Sequence, residues 1–141
     1  MLYVFIWDSM RNDMCNNLFL KKIGGTLVGK GYTLSNFVMI YDNKECILLD
    51  LSFGNAIIGD IYLLNNKGIT ILDNFYNISI KYNKKKITCY YNSCMCNKEL
   101  YEKIDCFIYS INKPELIEMY IKKLSKETYI IESGNWKTIK I

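Results

Sequence analysis

The sequence predicts an α+β fold, a small β-barrel or curled mixed sheet with two main helices. Three observations predict it. Runs rich in Ile, Tyr, Val and Leu recur along the chain, cut every several residues by Gly, Asn, Asp and Lys turn signals. Only two stretches carry a convincing helical pattern. Half of the 141 residues are hydrophobic, enough for one core and short of two, so residues 1–141 are expected to form a single domain.

The elements follow in order. Residues 2–7 read as a buried strand that stops abruptly at Asp8-Ser9-Met10, a short polar elbow. Asp13 to Ile23 places Met14 and Leu18 at helical spacing, with Gly24-Gly25 as a stop. Thr26 to Leu34, Asn36 to Tyr41 and Glu45 to Leu51 are β-rich pieces, and Asn55 to Leu64 is the clearest strand. Ile69 to Asp73 reads as a single helical turn or an irregular bridge. Ile78 to Ile80 and Lys86 to Tyr91 alternate polar and apolar residues in strand fashion, joined across a solvated lysine turn, and Cys106 to Ile111 is a further strand. In Asn112-Lys113-Pro114-Glu115 the Asn is placed to cap a helix whose apolar stripe is Leu116, Ile117, Tyr120, Ile121 and Leu124. The tail, Tyr129 to Trp136, adds a strand and a turn, for roughly eight strands in all.

Composition removes whole classes of function. The chain has no histidine, which excludes Ser-His-Asp and Cys-His catalysis and histidine metal ligation. No apolar run approaches the roughly 20 residues that span a bilayer. The N-terminus lacks a basic n-region and a small-residue cleavage site, so a cytoplasmic location is expected, with the six cysteines as reduced thiols. The net charge of +4 is modest, and Arg11 is the single arginine beside seventeen lysines, so no nucleic-acid partner is expected. Ile, Asn, Lys and Tyr make up almost half the chain and share AT-rich codons, which points to an AT-rich genome such as that of a large DNA virus or a parasite.

Cys89, Cys94, Cys96 and Cys106 fall within 18 residues, but no paired Cys-x2-Cys knuckle occurs, so no metal is expected; Cys89 and Cys106 fit strand interiors and Cys94 and Cys96 the loop between. Gly24-Gly25-Thr26-Leu27-Val28-Gly29-Lys30-Gly31 departs from the phosphate-cradling Gly-x4-Gly-Lys-[Ser/Thr] pattern and leads into β-rich sequence, so its glycines read as turn glycines. No cofactor is expected.

The elbow has companions in a definite order: a short helix carrying Asn16-Asn17, the strand Ile57-Ile58-Gly59-Asp60-Ile61-Tyr62, the segment Leu72-Asp73-Asn74-Phe75-Tyr76-Asn77, Tyr82, the strand Cys106-Phe107-Ile108-Tyr109-Ser110, and Gly134-Asn135-Trp136. This order resembles the gamma-glutamylcyclotransferase-like family, small barrel proteins that include the avirulence-induced-gene-like and butirosin-cyclotransferase-like branches. The resemblance spans nearly the whole chain. It implies that the elbow's backbone amides hold the α-carboxylate of a γ-glutamyl group, and that a glutamate in the Leu-Asp-x-x-Glu-Gly segment moves the proton as the amine attacks the γ-carbonyl and releases 5-oxoproline.

At that glutamate position this chain has Tyr76, and at the elbow glycine it has Asp8. A phenol with an ordinary pKa of about 10 is a poor general base near neutral pH. A carboxylate at Asp8 would repel the substrate carboxylate, and its Cβ stands where a special φ or a close approach is required. The expected function is therefore a catalytically inactive member kept as a protein-interaction or structural module, through a protein partner or self-association. Its vestigial pocket would comprise Trp7, Asp8, Ser9, Met10, Tyr76 and Tyr82. Two alternatives stand beside it. One is a divergent cyclotransferase with Asp60 or Asp73 as substitute base, although Asp73 reads more simply as capping a local turn and Glu45 has no assignable position. The other is a small-ligand binder that holds a cation through Asp8 and the faces of Trp7 and Tyr76.

Overall fold

The first apolar run forms β1 (Leu2–Ile6), whose residues Val4, Phe5 and Ile6 are buried, as expected of a central strand covered on both faces. It pairs antiparallel with β4 (Asn55–Leu64) and parallel with β6 (Glu102–Ser110). The computed structural model describes residues 1–51, 53–93 and 101–138. Beyond β6 lies β5 (Asn83–Ser93), which also pairs with β2 (Thr26–Asp42), and β2 pairs with β4. The circuit β2-β4-β1-β6-β5 therefore closes into a mixed five-stranded barrel that leaves none of these five as a free edge.

β2 is one strand of 17 residues where the sequence reads as two pieces. Its register against β4 shifts between Tyr32 and Asn36, so the strand bends without breaking. At that bend the Thr33 hydroxyl donates to the Ser35 carbonyl and accepts from Ile57 N–H, which satisfies the loosened ladder. Past the bend β2 leaves the barrel and pairs with β3 (Glu45–Leu49) and β7 (Thr128–Ile130). Gly29 and Gly31 lie inside β2 and are not turn glycines: a Cβ at Gly31 would run into the Tyr90 carbonyl, so its absence lets β5 close the barrel.

α1 (Asn17–Lys22) is shorter than the spacing predicts, because residues 8–16 are held in successive hydrogen-bonded turns and Asp13 adopts φ +65°. Gly24, at φ +91°, ends it. α2 (Asn66–Phe75) is a full helix where the sequence suggests one turn or a bridge. Gly68 and the β-branched Ile69, Thr70 and Ile71 mask its propensity, whereas the Asn65 side chain caps it by accepting from Gly68 N–H at 2.8 Å. The described chain thus has three α-helices instead of two main ones.

Ile78 to Ile80 is a turn, since Asn77 and Ser79 both take positive φ, and only an isolated bridge joins Ile78 to Tyr82. The lysine run belongs to β5, where Lys84 and Lys85 reach Asp73 and Asp50. α3 (Pro114–Lys122) begins one residue later than expected: Lys113 is its N-cap, with no side-chain cap, so Asn112 does not serve. Leu116, Ile117 and Tyr120 pack inward, while Ile121 and Leu124 are exposed. Cys89 and Cys106 are buried strand residues with their sulfurs 3.2 Å apart; Cys94 and Cys96 lie outside the described residues. No described helix is long and apolar enough to cross a membrane.

Candidate functional site

The elbow sits where β1 leaves the barrel wall. Trp7, the last residue of the apolar run, is buried and donates from Nε1 to the Tyr109 carbonyl at 3.0 Å, which ties the end of β1 to β6. The chain then turns sharply, with Arg11 N–H donating to the Asp8 carbonyl and Asn16 N–H to the Ser9 carbonyl. Asn17 reinforces the turn from α1 by donating to the Met10 carbonyl and the Tyr62 hydroxyl, each at 2.8 Å. A buried cation supports it from below. Arg11, 1 % exposed, donates through Nε to Asp60 at 3.4 Å and through a terminal nitrogen to Asn135 at 2.6 Å, and Asp60 also accepts from Asn12 N–H at 2.8 Å.

Asp8 needs no left-handed backbone at its position, because the non-glycine residues at positive φ are Asp13, Asn43, Lys44, Asn77 and Ser79. Its side chain curls back over the elbow. Oδ1 accepts from Met10 N–H at 3.1 Å in an Asx turn, and Oδ2 accepts from the Tyr76 hydroxyl at 2.7 Å. The carboxylate thus occupies one of the elbow's own amides.

Tyr76 lies just past the end of α2, buried, with its ring stacked on Tyr109 at 4.4 Å and edge-on to Tyr82 at 5.2 Å. Trp7 backs both tyrosines, with ring centroids 6.3 Å from each. In front of this aromatic wall opens a cavity of about 310 Å³, lined by Asp8, Ser9, Tyr76 and Tyr82, by Trp136 from the C-terminal turn, and by Lys44, Glu45 and Cys46 from the β2–β3 hairpin. Asn43 and Lys44 both adopt positive φ, as a two-residue hairpin turn demands.

Of the residues singled out in the sequence, Asp8, Ser9, Tyr76 and Tyr82 therefore meet at one cavity. Trp7 stands behind the wall, and Met10 is buried and contributes its amide. Asp60 and Asp73 do not line the cavity. Asp60 is held by Arg11, while Asp73 accepts from the Tyr109 hydroxyl at 2.5 Å and from Lys84 at 2.9 Å, so its expected role as a turn cap gives way to a tie between α2 and the strands β5 and β6. Among the described residues the carboxylates on the cavity wall are Asp8 and Glu45. Nothing in the sequence marks Lys44, Cys46, Lys81 or Trp136 as cavity residues, and Glu45 has no position assignable from it.

Burial pushes the Asp8 carboxyl above its ordinary value, against the opposing hydrogen bonds from Tyr76 and the Met10 amide. The Tyr76 phenol is driven well above 10 by burial and by the negative charge of Asp8, and Tyr82 rises for the same two reasons. Cys46 is also lifted well above its usual value by desolvation and by Asp8. Two phenols and a thiol around the cavity are thus held protonated at neutral pH. No group of three or more Cys, Asp or Glu among the described residues is arranged to hold a metal.

A stability prediction arises from Asp8. Because its native pKa is raised, the native state binds this proton more tightly than the unfolded chain, and stability falls as pH climbs from about 4 through the raised value. Asp8→Asn is expected to flatten this part of the profile and to raise the urea midpoint at pH 7. Urea unfolding at a series of pH values checks it, and a variant that loses stability at pH 7 with an unchanged slope overturns it.

No protein-family model matches the sequence, and no curated protein matches it. The fold has solved counterparts. An AIG2-like protein from Mus musculus, also designated GGACT, is similar over 83 % of this chain and 82 % of its own at 19 % identity, with a TM-score of 0.70. A uropathogenic E. coli-specific protein is similar over 97 % of this chain and 93 % of its own at 13 % identity, with a TM-score of 0.65. An uncharacterized protein from Pyrococcus horikoshii is similar over 98 % and 92 % at 11 % identity, with a TM-score of 0.60. The architecture of this chain is a gamma-glutamylcyclotransferase-like fold.

Proposed function

We propose that this chain is a catalytically inactive gamma-glutamylcyclotransferase-like protein, kept as a cytoplasmic interaction module whose elbow cavity binds a partner or a second copy. One observation carries the reading: the Asp8 carboxylate lies on the Met10 amide and holds the Tyr76 hydroxyl, so the anion seat and the proton-transfer position are tied to each other. A γ-glutamyl substrate would bring its α-carboxylate against Asp8, and its ammonium would find a protonated phenol where a base is required. Asp60 and Asp73 are engaged away from the cavity, which disfavours rescue by either.

The test is mass-spectrometric detection of 5-oxoproline after incubation with a mixture of γ-glutamyl amines and peptides. The wild type is expected to release none, and Asp8→Gly/Tyr76→Glu, which frees the amide and restores a carboxylate, is expected to release some. Product from the wild type overturns the reading; its loss in Glu45→Gln would then identify the rim carboxylate as the base.

A further inference from the structure

We infer that the elbow cavity is a receptor for a primary ammonium group on an aliphatic chain, seated on Asp8, whether that group belongs to a free amine or to a lysine side chain of a partner. The inference deepens the reading of the cavity as a non-catalytic binding site. It rests first on a carboxylate with no direct ion pair. Asp8 is 9 % exposed and lines the cavity, yet the donors that reach it are neutral, the Tyr76 hydroxyl and the amides of Met10 and of Asp8 itself, and none of the ion pairs among the described residues includes it. A carboxylate has about four acceptor positions, so these three donors leave room for another. A buried carboxylate so placed is an incomplete ion pair, and a cation entering the cavity completes it.

The walls suit the rest of such a ligand. Phe75, Tyr76, Tyr82 and Trp136 line the cavity with Asp8 and give a ligand's methylenes apolar surface to pack on. Lys81, which also lines the cavity, already stands 5.7 Å from the Tyr82 ring centroid and 5.9 Å from that of Tyr120, so an entering ammonium is directed to Asp8 and not to the Tyr82 face. A volume of about 310 Å³ is at the small end of ligand cavities, which fits an unbranched amine. Glu45 adds a second negative group to the lining, and Lys44 and Lys81 are the cations there, neither of them paired with Asp8. A divalent metal is a poor fit, because it needs several oxygen ligands and, among the described residues, the wall offers one buried carboxylate. An anionic ligand would meet Asp8 head on. Three N–H donors separate a primary ammonium from a quaternary one, which can use the rings but cannot bond to the carboxylate.

Calorimetric titration of the full chain at pH 7 tests this with four probes: 1,5-diaminopentane, Nα-acetyl-lysine methylamide, tetramethylammonium and glutarate. One or both primary amines are expected to bind at least about tenfold more tightly than tetramethylammonium, in line with a charge-assisted hydrogen bond, and glutarate is expected not to bind. Tighter binding of the diamine points to a free amine, and tighter binding of the lysine derivative to a protein partner. Asp8→Asn is expected to weaken amine binding about tenfold or more while staying folded. Undiminished binding in that variant, glutarate binding as tight as the amines, or no binding of either amine overturns the inference. The comparison of amines with glutarate uses wild-type protein alone and so survives a misfolded variant. None of the probes has a γ-glutamyl group, so release of 5-oxoproline would overturn the inactive reading without deciding this one.

Discussion

Arg11→Met is expected to cost about 3–5 kcal/mol of folding stability, because it removes the cationic partner of a carboxylate that has almost no access to water. Asp60 is 2 % exposed, and without Arg11 it keeps only the Asn12 amide as a donor among the hydrogen bonds described. The methionine fills much of the arginine's volume, so the loss reads mainly as a stranded charge and less as a cavity. Asn135 also loses its Arg11 donor, which loosens the C-terminal turn that brings Trp136 to the cavity wall. Urea unfolding measures the effect as a fall in midpoint at unchanged slope. The discriminating variant is Arg11→Met/Asp60→Leu. Removal of both charges should recover part of the loss, and a double variant as unstable as the sum of the two singles would show that the pair is not the cause.

The single arginine stands out in the composition, yet nothing in the sequence says that it is buried. Its significance depends on Asp60, 49 residues away, which reaches it only because the β1–β4 register sets Ile6 opposite Asp60. The barrel itself was legible, because period-two alternation and turn signals are local: β1 and β4 fall where the pattern puts them, while β6 begins at Glu102, four residues before the expected start at Cys106. α2 was hidden by Gly68 and three β-branched residues, whose propensities oppose a helix that Asn65 and the burial of Leu72 nonetheless stabilise. The cavity was half legible. The order of landmarks along the chain groups Asp8, Tyr76 and Tyr82, but Lys44, Glu45 and Cys46 arrive on a hairpin that projects beyond the barrel, and no local signal carries that information. Asp8 is the instructive case. In sequence it reads as damage to a glycine elbow, whereas in the structure its carboxylate completes the turn from within.

Trp7→Ala is expected to cost a similar amount, about 3–5 kcal/mol, through a different mechanism. The indole is 1 % exposed and fills the space between the end of β1 and the two tyrosines that wall the cavity. Truncation opens a void and strips the Tyr109 carbonyl of its donor. Trp7→Phe separates the two contributions, since a phenyl ring keeps much of the packing and lacks the N–H; it is expected to cost about 1–3 kcal/mol, the range for a buried acceptor left unpaired. If the phenylalanine variant is as unstable as the alanine one, the hydrogen bond and not the packing holds β1 to β6 at the elbow. The cavity should respond as well. With their backing gone, Tyr76 and Tyr82 are free to turn into the void, so the near-ultraviolet circular dichroism of the aromatic cluster should collapse in Trp7→Ala below its global unfolding midpoint and persist in Trp7→Phe. A Trp7→Ala protein that unfolds at the wild-type midpoint with its aromatic signal intact would mean that the tyrosine wall stands without the indole, and that Arg11, Asn17 and the Asp8 carboxylate suffice to hold the elbow.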